Sequence, residues 1–173
     1  MDSYYNFRQT ENEISYEPYL YDSNDTLAYI FLGVALMIAG FILTGFKILN
    51  EAVYVGLIFG GILLIAGLYR RLIKNKAKLV FDKPDDAVFK ISPTGRKKLI
   101  ALSNVYEIIT VSENMSYDYE LTNKDKPSAK NIPITSFITE RRRKRPETGF
   151  LEGTIIPAVE SMIHSVKVDS PFS

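Results

Sequence analysis

Two uncharged apolar stretches dominate the first half of the chain. They cover residues 26–46 and 52–69, so they are 21 and 18 residues long. A helix rises about 1.5 Å per residue, and ~20 residues therefore cross a hydrocarbon core of about 30 Å. The stretches contain no Asp, Glu, Lys, Arg or His, and five residues separate them. This pattern predicts a membrane α-helical hairpin, with two transmembrane helices, over residues 26–70.

After the hairpin the hydrophobic pattern changes to a period of two. Apolar and polar positions alternate at residues 87–91 and 117–121, between clusters of Pro, Gly and Asp. This alternation predicts a small antiparallel β domain of about six or seven strands. Residues 155–166 instead place apolar side chains at helical spacing, which predicts a C-terminal amphipathic helix. We expect Thr154 to cap this helix and Pro157 to lie in its first turn.

The chain therefore divides into five predicted segments. An acidic, tyrosine-rich N-terminal tail lacks periodicity, and we interpret it as disordered or as a short linear motif. The segments are the tail (1–25), the transmembrane hairpin (26–70), a basic juxtamembrane linker (71–78), the β domain with its C-terminal helix (79–167) and a short C-terminal tail (168–173).

Charge is unevenly distributed, although the net charge is only +1. Residues 70–78 contain five cations and no acid, whereas residues 1–25 contain six acids and one Arg. Basic flanks of membrane helices tend to stay on the cytoplasmic side. We therefore expect a multi-pass protein of the cell (inner, cytoplasmic) membrane with both termini in the cytoplasm. The cations of this basic flank are Arg70, Arg71, Lys74, Lys76 and Lys78.

Five consecutive cations precede the C-terminal helix in a predicted loop. Each cation near an anionic leaflet is worth about 1 kcal/mol, so one interpretation is docking onto anionic lipid head groups together with the basic flank. An acidic protein partner, the chain's own acidic tail and a solvated loop without a ligand are the alternatives. Nucleic acid is disfavoured because no aromatic residue interleaves with the cations. The run consists of Arg141, Arg142, Arg143, Lys144 and Arg145.

Small residues in the hairpin suggest close helix packing. Gly56 and Gly60 have the G-x-x-x-G spacing, and Ala35 and Ala39 repeat it on the first helix. These four residues could pack the two helices of one hairpin together or form a contact between two copies of the chain. Neither span contains an ionisable residue, which disfavours an ion or proton pathway.

Residue types that support catalysis are scarce. The chain has no Cys and a single histidine, His164, which excludes disulfides, zinc–thiolate sites and thiol nucleophiles. Phosphate-binding loops, dinucleotide motifs and H-E-x-x-H are absent from the sequence. We expect no catalytic residue, no metal site and no cofactor, and we interpret Asp82, Asp85 and Asp86 as a polar turn. The cations at residues 96–98 are a further hypothesis for a phosphate contact.

Four stretches between residues 77 and 165 carry a resemblance to a known fold. They are Leu79-Val80-Phe81-Asp82, Leu102-Ser103-Asn104-Val105-Tyr106-Glu107-Ile108, Tyr117-Asp118-Tyr119-Glu120-Leu121 and residues 155–163. Together with the hairpin and the basic flank, they resemble bacterial membrane proteins that carry a bacterial pleckstrin-homology-like (PH-like) domain. The resemblance implies a barrel of six or seven strands closed by the C-terminal helix. It implies a binding or assembly module, and it transfers no catalytic residue.

Two hypotheses about function follow. The first is a membrane-anchored, non-enzymatic binding or assembly module that presents the PH-like domain at the cytoplasmic membrane surface to a protein partner or to anionic lipid. We expect an unidentified protein partner. Whether the chain also forms a homo-oligomer is left open. The second rests on the layout, which also resembles bacterial antiphage effectors in which a bound nucleotide drives oligomerisation and membrane damage. It implies a ligand-gated, nucleotide-sensing two-helix effector, although the sequence contains no nucleotide-contacting motif.

Overall fold

The computed structural model describes residues 4–48, 51–125 and 130–169, without the side chains of residues 23–25 and 168–169. Its two compact units are Met1–Leu20 with Ala77–Ser173, the β domain, and Tyr21–Lys76, the helical hairpin. Parts of four predicted segments lie outside the described residues. They are residues 1–3 of the N-terminal tail, 49–50 of the interhelix turn, 126–129 of a loop in the β domain and 170–173 of the C-terminal tail.

The two long apolar helices that the sequence predicts are confirmed. They are α1 (Ser23–Gly45) and α2 (Glu51–Tyr69), and a π-helical turn at Arg70–Lys74 continues α2. Thr26–Gly45 and Glu51–Lys74 are each long and apolar enough to cross a membrane, and only 17% of the most apolar window of each is buried. The helix of a soluble core would instead bury its apolar face.

The predicted linker over residues 71–78 is mostly helical or strand. The helix continues to Lys74, and the next strand begins at Lys78. Arg and Lys are good helix formers, and no Gly or Pro interrupts the sequence Arg-Arg-Leu-Ile-Lys after Tyr69. Residues 75–77 are therefore the only ones between the π-helical turn and this strand.

Glycines seven residues apart line the contact between α1 and α2. Gly33 and Gly40 are buried on α1, and Gly60 and Gly67 are buried on α2. A Cβ atom added to Gly33 would lie 2.8 Å from the backbone nitrogen of Leu64 and 2.9 Å from the Gly60 carbonyl oxygen. The helices therefore approach too closely for a side chain at this point, with the seven-residue repeat of a coiled coil.

The predicted packing residues divide between this contact and the outer surface of the hairpin. A Cβ at Gly60 would lie 3.1 Å from the carbonyl oxygen of Gly33, which places Gly60 in the contact within one hairpin. Ala35 and Ala39 are exposed, and a Cβ at Gly56 would have no neighbour within 4 Å. Packing of these three residues between copies of the chain stays a prediction.

The first sheet is antiparallel and has the strand order β1-β2-β3-β4-β5. Its strands are β1 (Arg8–Gln9), β2 (Glu13–Tyr16), β3 (Lys78–Asp82), β4 (Ala87–Ser92) and β5 (Gly95–Ile100). The first two strands precede the hairpin and the other three follow it. Because β2 pairs with β3, with Tyr16 opposite Leu79, the hairpin is an insertion between two paired strands.

The N-terminal segment thus differs from the disordered tail that the sequence suggested. Tyr5, Ile14 and Tyr16 are at most 1% exposed. The Tyr16 ring stacks on that of Phe81 with centroids 6.2 Å apart, and its hydroxyl donates a hydrogen bond of 3.0 Å to the carbonyl oxygen of Ile134. Residues 4–20 are therefore part of the β domain.

The second sheet contains β6 (Val105–Glu113), β7 (Ser116–Asn123), β8 (Ile132–Pro133) and β9 (Ile138–Thr139). β6 and β7 form a hairpin around Asn114 and Met115, and both β8 and β9 pair with the other edge of β7. The Thr135 hydroxyl accepts the backbone N–H of Tyr119 at 2.9 Å and bridges the gap between β8 and β9.

The mainly antiparallel β domain of the prediction is confirmed, but its closed barrel is not. The described residues form nine short strands, because two strands come from the N-terminal segment and the last strand is interrupted. Across the described residues, each sheet pairs only within itself. The two sheets therefore do not form one continuous ladder.

The C-terminal helix is longer than predicted. It comprises α4 (Pro146–Phe150), a π-helical turn (Leu151–Ile155) and α5 (Ile156–Asp169), which follow α3 (Glu140–Arg143). Ile155, Val159 and Met162 are buried, so the predicted apolar stripe faces the core. The expected cap at Thr154 is wrong, because this residue lies inside the π-helical turn. Pro157 lies in the first turn of α5, as expected, and Pro146 begins α4. Residues 168–169 complete α5 instead of belonging to a separate tail.

We predict that Gly33→Ala destabilises the hairpin by about 1–3 kcal/mol, because the new methyl group overpacks the helix contact. Gly56→Ala is the matched control, since its Cβ meets nothing within 4 Å. The measurement is the temperature at which the full-length protein loses its monodisperse peak in detergent micelles. Equal temperatures for the two variants would contradict this packing.

We predict that Tyr16→Phe lowers the free energy of unfolding by about 1 kcal/mol at neutral pH, because it leaves a buried carbonyl without its donor. Burial raises the pKa of Tyr16 above its ordinary value. A raised folded-state pKa means that the native stability is complete below about pH 10 and is lost at higher pH, as the unfolded tyrosine ionises first.

The difference in the free energy of unfolding between the unaltered protein and Tyr16→Phe should therefore become smaller above about pH 10. Thermal unfolding in detergent micelles, followed by near-ultraviolet circular dichroism of the tyrosines, measures it. Tyr106→Phe is the control because Tyr106 is 59% exposed. A constant difference across this pH range would contradict the prediction.

Candidate functional site

The basic segment, Arg141–Arg145, does not form the loop that the sequence suggested. Arg141, Arg142 and Arg143 lie in α3, and Lys144 and Arg145 connect it to α4. Arginine favours helix, and Glu140 in the first turn complements the helix dipole. The cations are thus held on a short helical corner.

Arg142 differs from its neighbours because it supports the corner. Its Nη1 donates to the Ser136 hydroxyl at 3.1 Å and to the Phe137 carbonyl oxygen at 3.3 Å. Its carbonyl oxygen accepts the Thr148 hydroxyl at 2.7 Å, which fixes α3 to α4. We therefore assign Arg142 a structural role.

The other members of the basic segment are accessible. Arg141, Arg143, Lys144 and Arg145 are all exposed. Arg145 Nη1 lies 3.6 Å from Glu147 Oε1, so part of its charge is compensated. Arg141, Arg143 and Lys144 are the cations best placed to meet an anionic ligand.

The residues of the basic flank belong to two different units. Arg70, Arg71 and Lys74 extend α2, Lys76 ends the hairpin unit, and Lys78 begins β3 in the β domain. Joint action of the flank and the basic segment stays a prediction.

Contacts within the hairpin unit hold the part of the flank that continues α2. The Arg70 guanidinium lies 4.9 Å from the centroid of the Tyr29 ring. Asn75 Nδ2 donates to Thr26 Oγ1 at 3.2 Å, which joins the start of α1 to the residue after the π-helical turn.

The cations of β5 have local partners, which weakens the phosphate hypothesis for residues 96–98. Arg96 Nη2 lies 3.1 Å from Asp85 Oδ2, and its guanidinium stacks 3.5 Å above the Phe89 ring. Lys98 Nζ donates to the Asp86 carbonyl oxygen at 3.1 Å. Lys97 is exposed.

The acids around Pro84 close the β3–β4 turn. Asp86 accepts the backbone N–H of Ser103 at 2.8 Å and the Ser103 hydroxyl at 2.6 Å. Asp82 Oδ1 accepts the backbone N–H of Asp85 at 3.2 Å. These bonds agree with a polar turn, and the described residues contain no cluster of three potential metal ligands.

A tyrosine pair sharing one carboxylate was not anticipated from the sequence. The Tyr117 hydroxyl donates to Glu152 Oε1 at 2.5 Å, and the Tyr119 hydroxyl approaches the same oxygen at 3.3 Å. The only sequence signal is the Tyr-x-Tyr alternation on β7, since Glu152 lies far away in the chain. The pair fastens the π-helical turn to the second sheet.

Both tyrosines of this pair stay protonated at neutral pH, which agrees with a structural role. Burial and the Glu152 carboxylate raise the pKa of both tyrosines, so both hydroxyls remain donors at neutral pH. A general acid or base works best with a pKa near the working pH, and these shifts move away from it.

A groove separates β6 from α5, and we call it the edge groove. Its volume is about 260 Å³. Its lining residues are Tyr106, Glu107, Ile108, Glu160, Ile163, His164 and Lys167. The single histidine is thus an exposed member of this groove.

No protein-family model, curated protein or solved structure matches this chain.

The burial of Asp118 predicts how the stability of the protein depends on pH. Asp118 is only 3% exposed, and burial, with repulsion from Glu120 and Glu113, raises its pKa above the ordinary 3.8. A raised folded-state pKa favours the native state at low pH and destabilises it as pH rises through that pKa. Asp118→Asn should therefore raise the melting temperature at pH 7, and the gain should shrink toward about pH 4.

The measurement is thermal unfolding of the full-length protein in micelles between these pH values. Glu107→Gln is the control, since it removes an acid from an exposed position on β6. An increase in melting temperature for Asp118→Asn that does not depend on pH, or a decrease at pH 7, would contradict the raised pKa of Asp118.

Proposed function

We propose that this protein is a membrane-anchored, non-enzymatic binding module that presents its β domain at the cytoplasmic membrane surface. The observation that carries the proposal is the insertion of the hairpin between the paired strands β2 and β3. Both connections to the hairpin leave the same domain, so an even number of crossings returns the chain to its starting side. The β domain is then tethered at two points.

The basic flank supports a cytoplasmic location for this domain. Residues 70–78 carry five cations, and the described part of the interhelix turn carries only Lys47. The positive-inside tendency then favours both termini in the cytoplasm.

We further propose that the β domain is a PH-like fold interrupted by the hairpin. β2 to β5, then β6, β7 and the interrupted strand β8–β9, provide seven strand positions, and an amphipathic C-terminal helix follows them. The resemblance implies this order. In this proposal, the first strand lies before the hairpin and the other six lie after it.

Anionic lipid head groups are the ligand that best fits the basic segment. Its four exposed cations lie on a corner that Arg142 holds in place. At about 1 kcal/mol per cation near an anionic leaflet, three to four cations give an attraction of about 3–4 kcal/mol. Salt should weaken the contact.

The chain contains no Trp, so one introduced tryptophan can report on the contact. Phe137 is 54% exposed, and its carbonyl accepts Arg142, so Phe137→Trp places the reporter beside the basic segment. In nanodiscs we expect anionic lipid to shift its emission to the blue, compared with phosphatidylcholine alone, and high salt to reverse the shift.

Replacement of Arg141, Arg143 and Lys144 by Gln should abolish this shift. The matched control replaces three exposed lysines elsewhere in the β domain by Gln, and it should leave the shift unchanged. These lysines are Lys97, Lys124 and Lys130. If both triple variants behave alike, the basic segment is not the lipid contact.

The second candidate function is a ligand-gated, nucleotide-sensing effector that oligomerises in the bilayer. The observation in its favour is that Ala35, Ala39 and Gly56 are not used in the contact within the hairpin. Induced expression of an effector should arrest growth, and Ala35→Leu with Ala39→Leu should relieve the arrest. Growth that the unaltered protein leaves unaffected would contradict it.

A further inference from the structure

β6 forms one edge of the second sheet. It is nine residues long, and across the described residues its only strand partner is β7. A long edge strand carries a row of unpaired N–H and carbonyl groups, which is a template for another strand. Short length, proline, lysine or a β-bulge usually blocks such an edge. β6 contains neither proline nor lysine, and its one register shift, between Val105 and Ile108, leaves the segment from Ile108 onward regular.

The backbone groups that face this free edge follow from the hydrogen bonds. Glu107 directs its N–H and its carbonyl toward Thr122 Oγ1 on β7, at 3.1 and 3.2 Å. The register of β6 shifts between Val105 and Ile108, so the direction beyond this bulge is set by Thr110. Its partner Tyr119 directs its N–H and carbonyl away from β6, so Thr110 faces the free edge, and by alternation Ile108 and Ser112 do as well. The Tyr106 carbonyl agrees, since it accepts Lys167 Nζ at 2.6 Å.

The edge groove runs beside these groups. At the Tyr106 end of β6, Lys167 is already hydrogen-bonded to the backbone carbonyl. The backbone groups of Ile108, Thr110 and Ser112 are therefore the ones that can pair with an incoming strand. Ile108 is half-buried and Ile163 is 4% exposed, so the groove has an apolar floor. An added strand would direct alternate side chains toward this floor.

The surroundings of the groove are acidic. Besides the buried Asp118, residues 99–123 contain three acids and no Lys or Arg. Lys167 is the one Lys or Arg among the lining residues, and it is bonded to the Tyr106 carbonyl oxygen. Glu107 and Glu160 are exposed on the two walls, and Glu113 is exposed at the far end of β6. Charge complementarity therefore selects a cationic occupant.

We propose that the edge groove binds an extended segment of a partner protein, in which apolar residues alternate with Lys or Arg, as an added strand on β6. Backbone hydrogen bonds supply the pairing, the apolar side chains contact the floor, and the basic side chains face the acids. The inference rests on the proposed role as a binding module, but it uses no residue of the basic segment.

The test uses the full-length protein in phosphatidylcholine nanodiscs, where lipid docking by the basic segment does not contribute. The probe is a fluorescent heptapeptide of alternating Lys and Val, compared with one of alternating Glu and Val. We expect the Lys–Val peptide alone to bind. Its binding should slow hydrogen exchange at the amides of Ile108, Thr110 and Ser112.

Thr110→Pro is the decisive variant. It removes an edge-facing N–H but no hydrogen bond to β7, and proline is tolerated at such edge positions. The Lys–Val peptide should bind about tenfold more weakly to Thr110→Pro than to the matched control Thr110→Val. Glu107→Lys combined with Glu160→Lys should reverse the preference toward the Glu–Val peptide.

Three results of the binding measurements would overturn the proposal. They are equal binding to Thr110→Pro and Thr110→Val, equal binding of the two peptides, and binding of neither. The unaltered protein could instead form a dimer that Thr110→Pro converts to a monomer, and bind neither peptide. That result would identify a second copy of the chain as the occupant of the groove and would also overturn the proposal. If Thr110→Pro does not fold, hydrogen exchange of the unaltered protein decides alone, and unprotected edge amides reject the proposal.

Discussion

The pairing of β2 with β3 is the interaction on which the rest of this structure depends. It joins a strand made before the hairpin to one made after it, so the β domain forms only from both ends of the chain. Tyr16 extends the link across the domain, since its ring stacks on Phe81 of the first sheet and its hydroxyl reaches the Ile134 carbonyl beside the second. Without the N-terminal segment, β3 would lose one of its two neighbouring strands and expose the edge that contains Leu79 and Phe81. The membrane hairpin and the β domain are therefore coupled through chain connectivity.

This coupling gives a physical rationale for a tethered binding module. In the proposed function, two connections would restrict the β domain to the membrane surface more tightly than one, and the basic segment would add a charged surface to it. The cations of that segment have different roles, because Arg142 holds the helical corner while Arg141, Arg143 and Lys144 remain exposed. As proposed above, the edge groove would bind a cationic segment, so lipid and peptide ligands would not compete for the same residues.

The sequence predicted the parts of the fold that have long periodic signals. The uniform apolar runs predicted the two helices, and the alternation of apolar and polar residues predicted β4 and β7. The helical spacing that begins at Ile155 predicted the buried apolar stripe of the C-terminal helix. It did not predict β2, because Glu13–Tyr16 is too short for a period and lies among acids. The expected loop at the basic segment was wrong because arginine itself favours helix. The Glu152 carboxylate between Tyr117 and Tyr119, and the seven-residue glycine contact, depend on tertiary approach, which local patterns do not encode.

The most direct test of the account removes the hairpin but keeps the strand pairing. Residues 21–76 are replaced by a short Gly-Ser linker that joins Leu20 to Ala77, and the product is compared with residues 77–173 alone. We predict that the joined chain is a soluble, cooperatively unfolding monomer whose hydrogen exchange is slow in β2 and β3. Residues 77–173 alone should be aggregated or unfolded. If this fragment folds as stably as the joined chain, the N-terminal segment is not an integral part of the β domain and the central claim is wrong.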